Sequence, residues 1–124
     1  MKFFIDTANV YGPAEDYIGQ FIAHRRDEYY LATKCGCVIV NRGDHDETPR
    51  DWNRNQLEQS IDNSLRRMKT DYVDVLQYHN PTAEDAIRYD LVQVMLDAKQ
   101  AGKTRFIGVS TTLPDLPYFL ELEI

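Results

Sequence analysis

Four short runs rich in Phe, Tyr, Ile and Val alternate with stretches whose apolar residues recur every three or four positions. That alternation constrains the fold of this chain more than any other feature. The runs are Lys2 to Asp6, Tyr29 to Lys34, Tyr72 to Tyr78 ending at His79, and Arg105 to Val109 ending at Ser110. Between them, Tyr17, Ile18, Phe21 and Ile22 fall on one helical face. Leu57, Ile61, Leu65 and Met68 form a second stripe, from which Glu58, Arg66 and Arg67 point away, and Ile87, Leu91, Val94, Met95 and Ala98 form a third. Strands separated by helices of this length need crossover connections, and crossovers make a parallel sheet. The expected class is therefore α/β, with about four parallel strand–helix units.

Local signals place the boundaries. Thr48 before Pro49, and Thr82 before Ala83-Glu84-Asp85, read as helix starts, and Gly102 as the glycine that ends the third helix. A fourth helix is expected within Pro114 to Ile124, with Pro117 limiting where it begins. Cys37 to Glu47 reads as an irregular surface loop, and Trp52 as a packing residue near a helix start.

Composition removes several classes of function. With 124 residues the chain makes one domain at most, residues 1–124. A net charge of −6 argues against nucleic acid as the main partner, because phosphate binding rests on clustered Lys and Arg. No apolar run approaches the roughly 20 residues of a membrane span. The opening Met1-Lys2-Phe3-Phe4-Ile5-Asp6 meets a carboxylate too early for a secretory signal. Cys35-Gly36-Cys37 is neither a disulfide framework nor a metal-ligand pair with a second half, so a reducing cytoplasm and no metal are expected.

The chemistry sits at the strand ends. Asp6, Lys34 and His79 close three successive strands, and Tyr11 follows the first. In a parallel sheet the carboxyl ends of the strands share one side of the molecule. A phenol with an ordinary pKa of about 10 is a poor acid at neutral pH, and a neighbouring ammonium favours its phenolate. A carboxylate can hold that ammonium, and a histidine across the site can hydrogen-bond a carbonyl oxygen. Such a set suits protonation of a carbonyl oxygen while hydride reaches its carbon.

The stretch Phe4-Ile5-Asp6-Thr7-Ala8-Asn9-Val10-Tyr11-Gly12-Pro13-Ala14-Glu15 resembles the signature of the aldo-keto reductases. Three further matches follow in order: Ala32-Thr33-Lys34-Cys35-Gly36, the run from Ser64 to Asp74 leading to His79, and Gly102 to Ser110. The resemblance implies a partial (β/α)₈ barrel, covering about the second to fifth strand–helix units. It implies reduction of a small aldehyde or ketone to an alcohol with NADPH. Tyr11 would be the proton donor, Lys34 and Asp6 its activators, and His79 the residue that orients the carbonyl. Ser110 and Asn80 would lie near the nicotinamide carboxamide, although Thr111 stands where the family commonly has Asn. No Gly-x-Gly-x-x-Gly and no complete P-loop occurs, so cofactor use is an expectation from the resemblance alone.

The family barrel has roughly 250 residues or more. The chain is therefore expected to be either a fragment or a half that pairs with a second copy through its open sheet edges. Two other functions are consistent with the same resemblance. One is a cofactor-binding subunit that regulates an ion channel with little turnover, and the other is an inactive truncated fragment.

Overall fold

The aromatic and β-branched runs form four strands that pair side by side in parallel, in the order β1 (Phe3–Asp6), β2 (Tyr29–Cys35), β5 (Val73–His79), β6 (Thr104–Ser110). The computed structural model describes residues 2–124. Helices α1 (Ala14–Phe21), α2 (Arg54–Met68), α3 (Ala83–Arg88), α4 (Leu91–Gln100) and α5 (Leu116–Leu120) occur between or after these strands. A 3₁₀ segment, Ala23–Glu28, leads into β2. The sheet is open and parallel, as the strand–helix alternation predicts, and forms an arc of the (β/α) barrel that the resemblance implies. Among the described residues no helix is long and apolar enough to cross a membrane.

Side chains alternate across a strand, so each pairing register assigns a face. One face carries Leu31, Cys35, Leu76 and Tyr78, which are buried in a single core with Leu57, Ile61 and Met68 of α2 and Leu91, Val94 and Met95 of α4. The other face carries Phe4 beside Tyr30, Ala32 beside Val75, and Val75 beside Phe106. Phe4 and Phe106 are 61% and 57% exposed, because nothing among the described residues covers that concave side. Trp52 packs as expected, edge-on to Tyr78 with centroids 5.5 Å apart. A side chain at Gly36, whose φ is +106°, would meet the Trp52 ring at 2.2 Å.

Several local expectations are corrected. The α2 start is not at Thr48: Asn53 caps the helix, accepting from the Gln56 N–H. The backbone near Thr48 is committed elsewhere, since Val38 N–H donates to the Pro49 carbonyl and Cys37 bridges Arg50. Within Cys37 to Glu47 the expected surface loop is present at Arg42 to His45, but it is closed by a short antiparallel pair, β3 (Val40–Asn41) with β4 (Asp46–Glu47). The third apolar stripe is broken into α3 and α4 at Asp90, which takes a left-handed conformation with φ of 51°. That break rotates Ile87 out to solvent, and Ala86 is buried instead. On α1, Tyr17 and Phe21 are exposed and meet in a tilted ring pair outside; the buried residues are Glu15, Ile18 and Gly19. Thr82 and Gly102 do act as predicted, Thr82 in a reciprocal capping box with Asp85 and Gly102 with φ of +78° just past α4.

Candidate active site

Parallel pairing brings the carboxyl ends of all four strands to one side, and the functional side chains follow from that. Asp6 ends β1, Lys34 is the penultimate residue of β2, His79 ends β5 and Ser110 ends β6. Register places Lys34 beside Gln77 and His79 beside Ser110. Tyr11 lies in the loop after β1, where its N–H donates to the Ala8 carbonyl in a tight turn.

Lys34 is only 4% exposed, yet its ammonium is well partnered. Nζ donates to Asp6 Oδ1 at 2.9 Å and to the Thr7 carbonyl at 3.0 Å, and it lies 5.2 Å from the centroid of the Tyr11 ring. A buried ammonium needs such partners, because desolvating an unpaired charge is costly. The Tyr11 ring in turn meets His79 edge-on, with centroids 5.9 Å apart. Asp6, Lys34, Tyr11 and His79 are thus brought into contact at one side of the sheet, where the strand-end reading places them.

Burial, reinforced by the positive charges of Lys34 and Arg50, holds the His79 imidazole below its usual value, against a smaller opposing pull from Asp6. The ring is therefore neutral at pH 7, with one N–H to donate. Its Nδ1 is buried without a hydrogen-bond partner. Asn80 sits beside it in a left-handed conformation with φ of 54°, tolerable for Asn, and its N–H donates to the Ser110 carbonyl at 2.7 Å. Ser110 and Asn80 therefore lie next to His79 at the same end of the sheet. Thr111 turns away, its hydroxyl donating to the Pro81 carbonyl.

Three contributors escaped the sequence reading. Gln77 donates to Asp6 Oδ1 at 3.4 Å, and alternation two residues before His79 was the signal for it. The Thr7 carbonyl is a backbone group that no side-chain pattern reveals. Arg50, which bears on His79, comes from the segment after β4 and has no signal at all.

The class defined by fold and site is a barrel-type α/β protein with an acid–base cluster at its strand ends. Residues 2–116 match the family model described as the aldo/keto reductase family, and the chain belongs to that family. An uncharacterized oxidoreductase of Bacillus subtilis, YqkF, is 34% identical over 91% of this chain and 37% of its own length. The aldo-keto reductase YhdN of the same organism is 37% identical over 86% and 32%. A 6-dehydroglucose reductase of Novosphingobium aromaticivorans is 34% identical over 90% and 38%. Among solved structures, a glycerol dehydrogenase of Gluconobacter oxydans superposes with a TM-score of 0.80 at 29% identity, over 97% of this chain and 38% of that one. The holo form of an aldo-keto reductase from Bacillus halodurans does so with a TM-score of 0.80 at 30% identity, over 93% and 38%. This chain spans between 32% and 38% of the length of those three curated relatives.

Proposed function

We propose that the strand-end cluster is the carbonyl-reducing half of an NADPH-dependent reductase site, with Tyr11 as proton donor. The observation that supports this most is the buried Lys34 ammonium, tied to Asp6 and the Thr7 carbonyl and facing the Tyr11 ring. Charge that develops on the phenol oxygen as its proton leaves is stabilised by that fixed cation, which needs no reorganisation at the moment of reaction. Asp6 keeps the cation in place.

In this reading the neutral His79 ring donates a hydrogen bond to the substrate oxygen and orients it toward Tyr11. Tyr11 then delivers its proton to the same oxygen, so a small aldehyde or ketone leaves as an alcohol. NADPH, when bound, supplies the hydride for the carbonyl carbon. This chain's residues fit the nicotinamide end of such a group. Ser110 and Asn80 offer a hydroxyl and an amide for a carboxamide beside His79, whose Nδ1 is buried and unpartnered.

The test mixes the full chain with NADPH and a nitrobenzaldehyde and follows loss of the reduced nicotinamide absorbance. The expected result is turnover that disappears in Tyr11→Phe. Absence of turnover in the unaltered chain, or turnover that survives the substitution, overturns the reading.

A further inference from the structure

Helix α2 packs its apolar stripe into the core, yet two serines on its buried surface, Ser60 and Ser64, are 7% and 2% exposed. A buried hydroxyl is unfavourable unless it is hydrogen-bonded, so their partners matter. Ser60 Oγ accepts from Asn9 Nδ2 at 3.1 Å, and the same Nδ2 donates to the Cys37 carbonyl at 2.8 Å. Ser64 Oγ donates to Glu15 Oε1 at 3.2 Å, and Arg67 Nη2 donates to that oxygen, also at 3.2 Å. Residues 60, 64 and 67 follow one another at helical spacing along one face. Their partners, Asn9 and Glu15, stand on either side of Tyr11 in the chain.

From these contacts we infer that α2 positions Tyr11 through a two-point clamp, Ser60 on Asn9 and Ser64 with Arg67 on Glu15. The inference rests on Tyr11 being the proton donor, and it assigns Asn9, Glu15, Ser60, Ser64 and Arg67 as positioning residues. Tyr11 itself is 48% exposed, and its ring meets the Lys34 ammonium and the edge of His79 without being enclosed. What holds the loop is its backbone and the two flanking anchors. Upstream, Thr7 and Asn9 N–H groups bond β2 carbonyls at 3.0 and 3.3 Å; downstream, Glu15 begins the first turn of α1. Gly19 lets α1 approach α2 closely enough for the Glu15 anchor, since a Cβ there would lie 1.9 Å from the Arg67 carbonyl oxygen. Proton transfer depends steeply on donor placement, so a loop freed at one anchor loses turnover while substrate binding persists.

The experiment labels the full chain with meta-fluorotyrosine and reads fluorine NMR, in which Tyr11 is assigned by the resonance missing in Tyr11→Phe. In Asn9→Ala, Ser60→Ala and Glu15→Ala, each confirmed folded by circular dichroism, the Tyr11 resonance is expected to shift or broaden while the other seven tyrosines hold. Asn9→Ala and Ser60→Ala combined are expected to do no more than Asn9→Ala alone, whereas Ser60→Ala alone does less because Asn9 keeps the Cys37 carbonyl. Asp62→Asn is the control, because it removes the α2 pair with Lys103 (2.7 Å) without touching the loop, and it must leave the resonance in place. A Tyr11 signal unmoved in all three folded variants, or moved equally by the control, overturns the clamp. Where turnover is measured, Asn9→Ala lowers kcat on the order of tenfold to hundredfold with KM held. The resonance reads the placement of Tyr11 and turnover reads its role as donor, so failure of the clamp and failure of the donor assignment are told apart.

Discussion

Lys34 and Asp6 are joined across adjacent parallel strands, the ammonium buried and the carboxylate half exposed, with 2.9 Å between Nζ and Oδ1. The asymmetry sets the energetics of the site. The cation cannot reach water, whereas the anion keeps part of its hydration. Asp6→Asn therefore leaves Lys34 held by a neutral amide and the Thr7 carbonyl. We expect a loss of about 1–2 kcal/mol in urea unfolding, below the roughly 3–5 kcal/mol for breaking a fully buried pair because Asp6 is half solvated.

His79 makes stability depend on pH. Its folded value lies below the ordinary 6.5, so the unfolded chain takes up a proton first as pH falls. The resulting stabilisation is complete above pH 6.5 and is lost as pH falls through the folded value. Urea midpoints measured across that window are expected to decline in the native chain and to flatten in His79→Gln.

Asp74, at the opposite end of β5, is a structural counterpart. It accepts from Arg26 at 2.8 Å, from the Leu31 N–H at 2.8 Å and from Arg105 at 2.9 Å, and Arg26 also lies 4.2 Å from the Tyr72 ring centroid. Burial pushes its carboxyl up, but these bonds outweigh that and hold it below the usual range. Its contribution is present above pH 3.8 and is lost as pH falls through the depressed value. Asp74→Ala leaves the buried Leu31 N–H without its partner, while Arg26 keeps the Tyr29 and Tyr72 carbonyls and the Thr70 hydroxyl, and about 1–3 kcal/mol of stability is expected to go. Calorimetry checks this.

Gly19→Ala tests the α1–α2 contact. The new methyl would sit 1.9 Å from a backbone oxygen, which no side-chain rotation relieves. A loss of about 3 kcal/mol is expected, the upper end for overpacking. The Tyr11 fluorine resonance should move with it, because Glu15 is drawn off its α2 partners.

The concave face predicts self-association. Phe4, Tyr30 and Phe106 are exposed on it, and β1 and β6 each pair with one neighbour among the described residues. Unpaired strand edges beside apolar surface recruit further strands. Light scattering after gel filtration is expected to show mass rising with concentration, and Phe4→Lys or Phe106→Lys to reduce it. A monomer at every concentration counts against this.

What could be read from the letters was local or periodic. Strand runs, the Thr82 cap and the Gly102 stop depend on neighbours within a few positions and appear within a residue of where expected, as do the polar residues at the strand ends, although β2 runs one residue past Lys34 to Cys35. From strand ends alone, Asp6, Lys34, His79 and Tyr11 could be placed together, because parallel pairing leaves their side of the sheet no alternative. Tertiary structure decided what depends on distant partners. The apolar pattern of α1 was right for Ile18 and Ile22 but wrong for Tyr17 and Phe21, since Glu15 and Gly19 go inward instead to meet a serine, an arginine and a backbone carbonyl some fifty positions away in α2. Ile87 turned outward because one left-handed residue, Asp90, redirects the helix. A periodicity count treats each helix as facing an apolar wall. Here the wall facing α1 carries hydrogen-bonding groups, and only the packed chain brings them there.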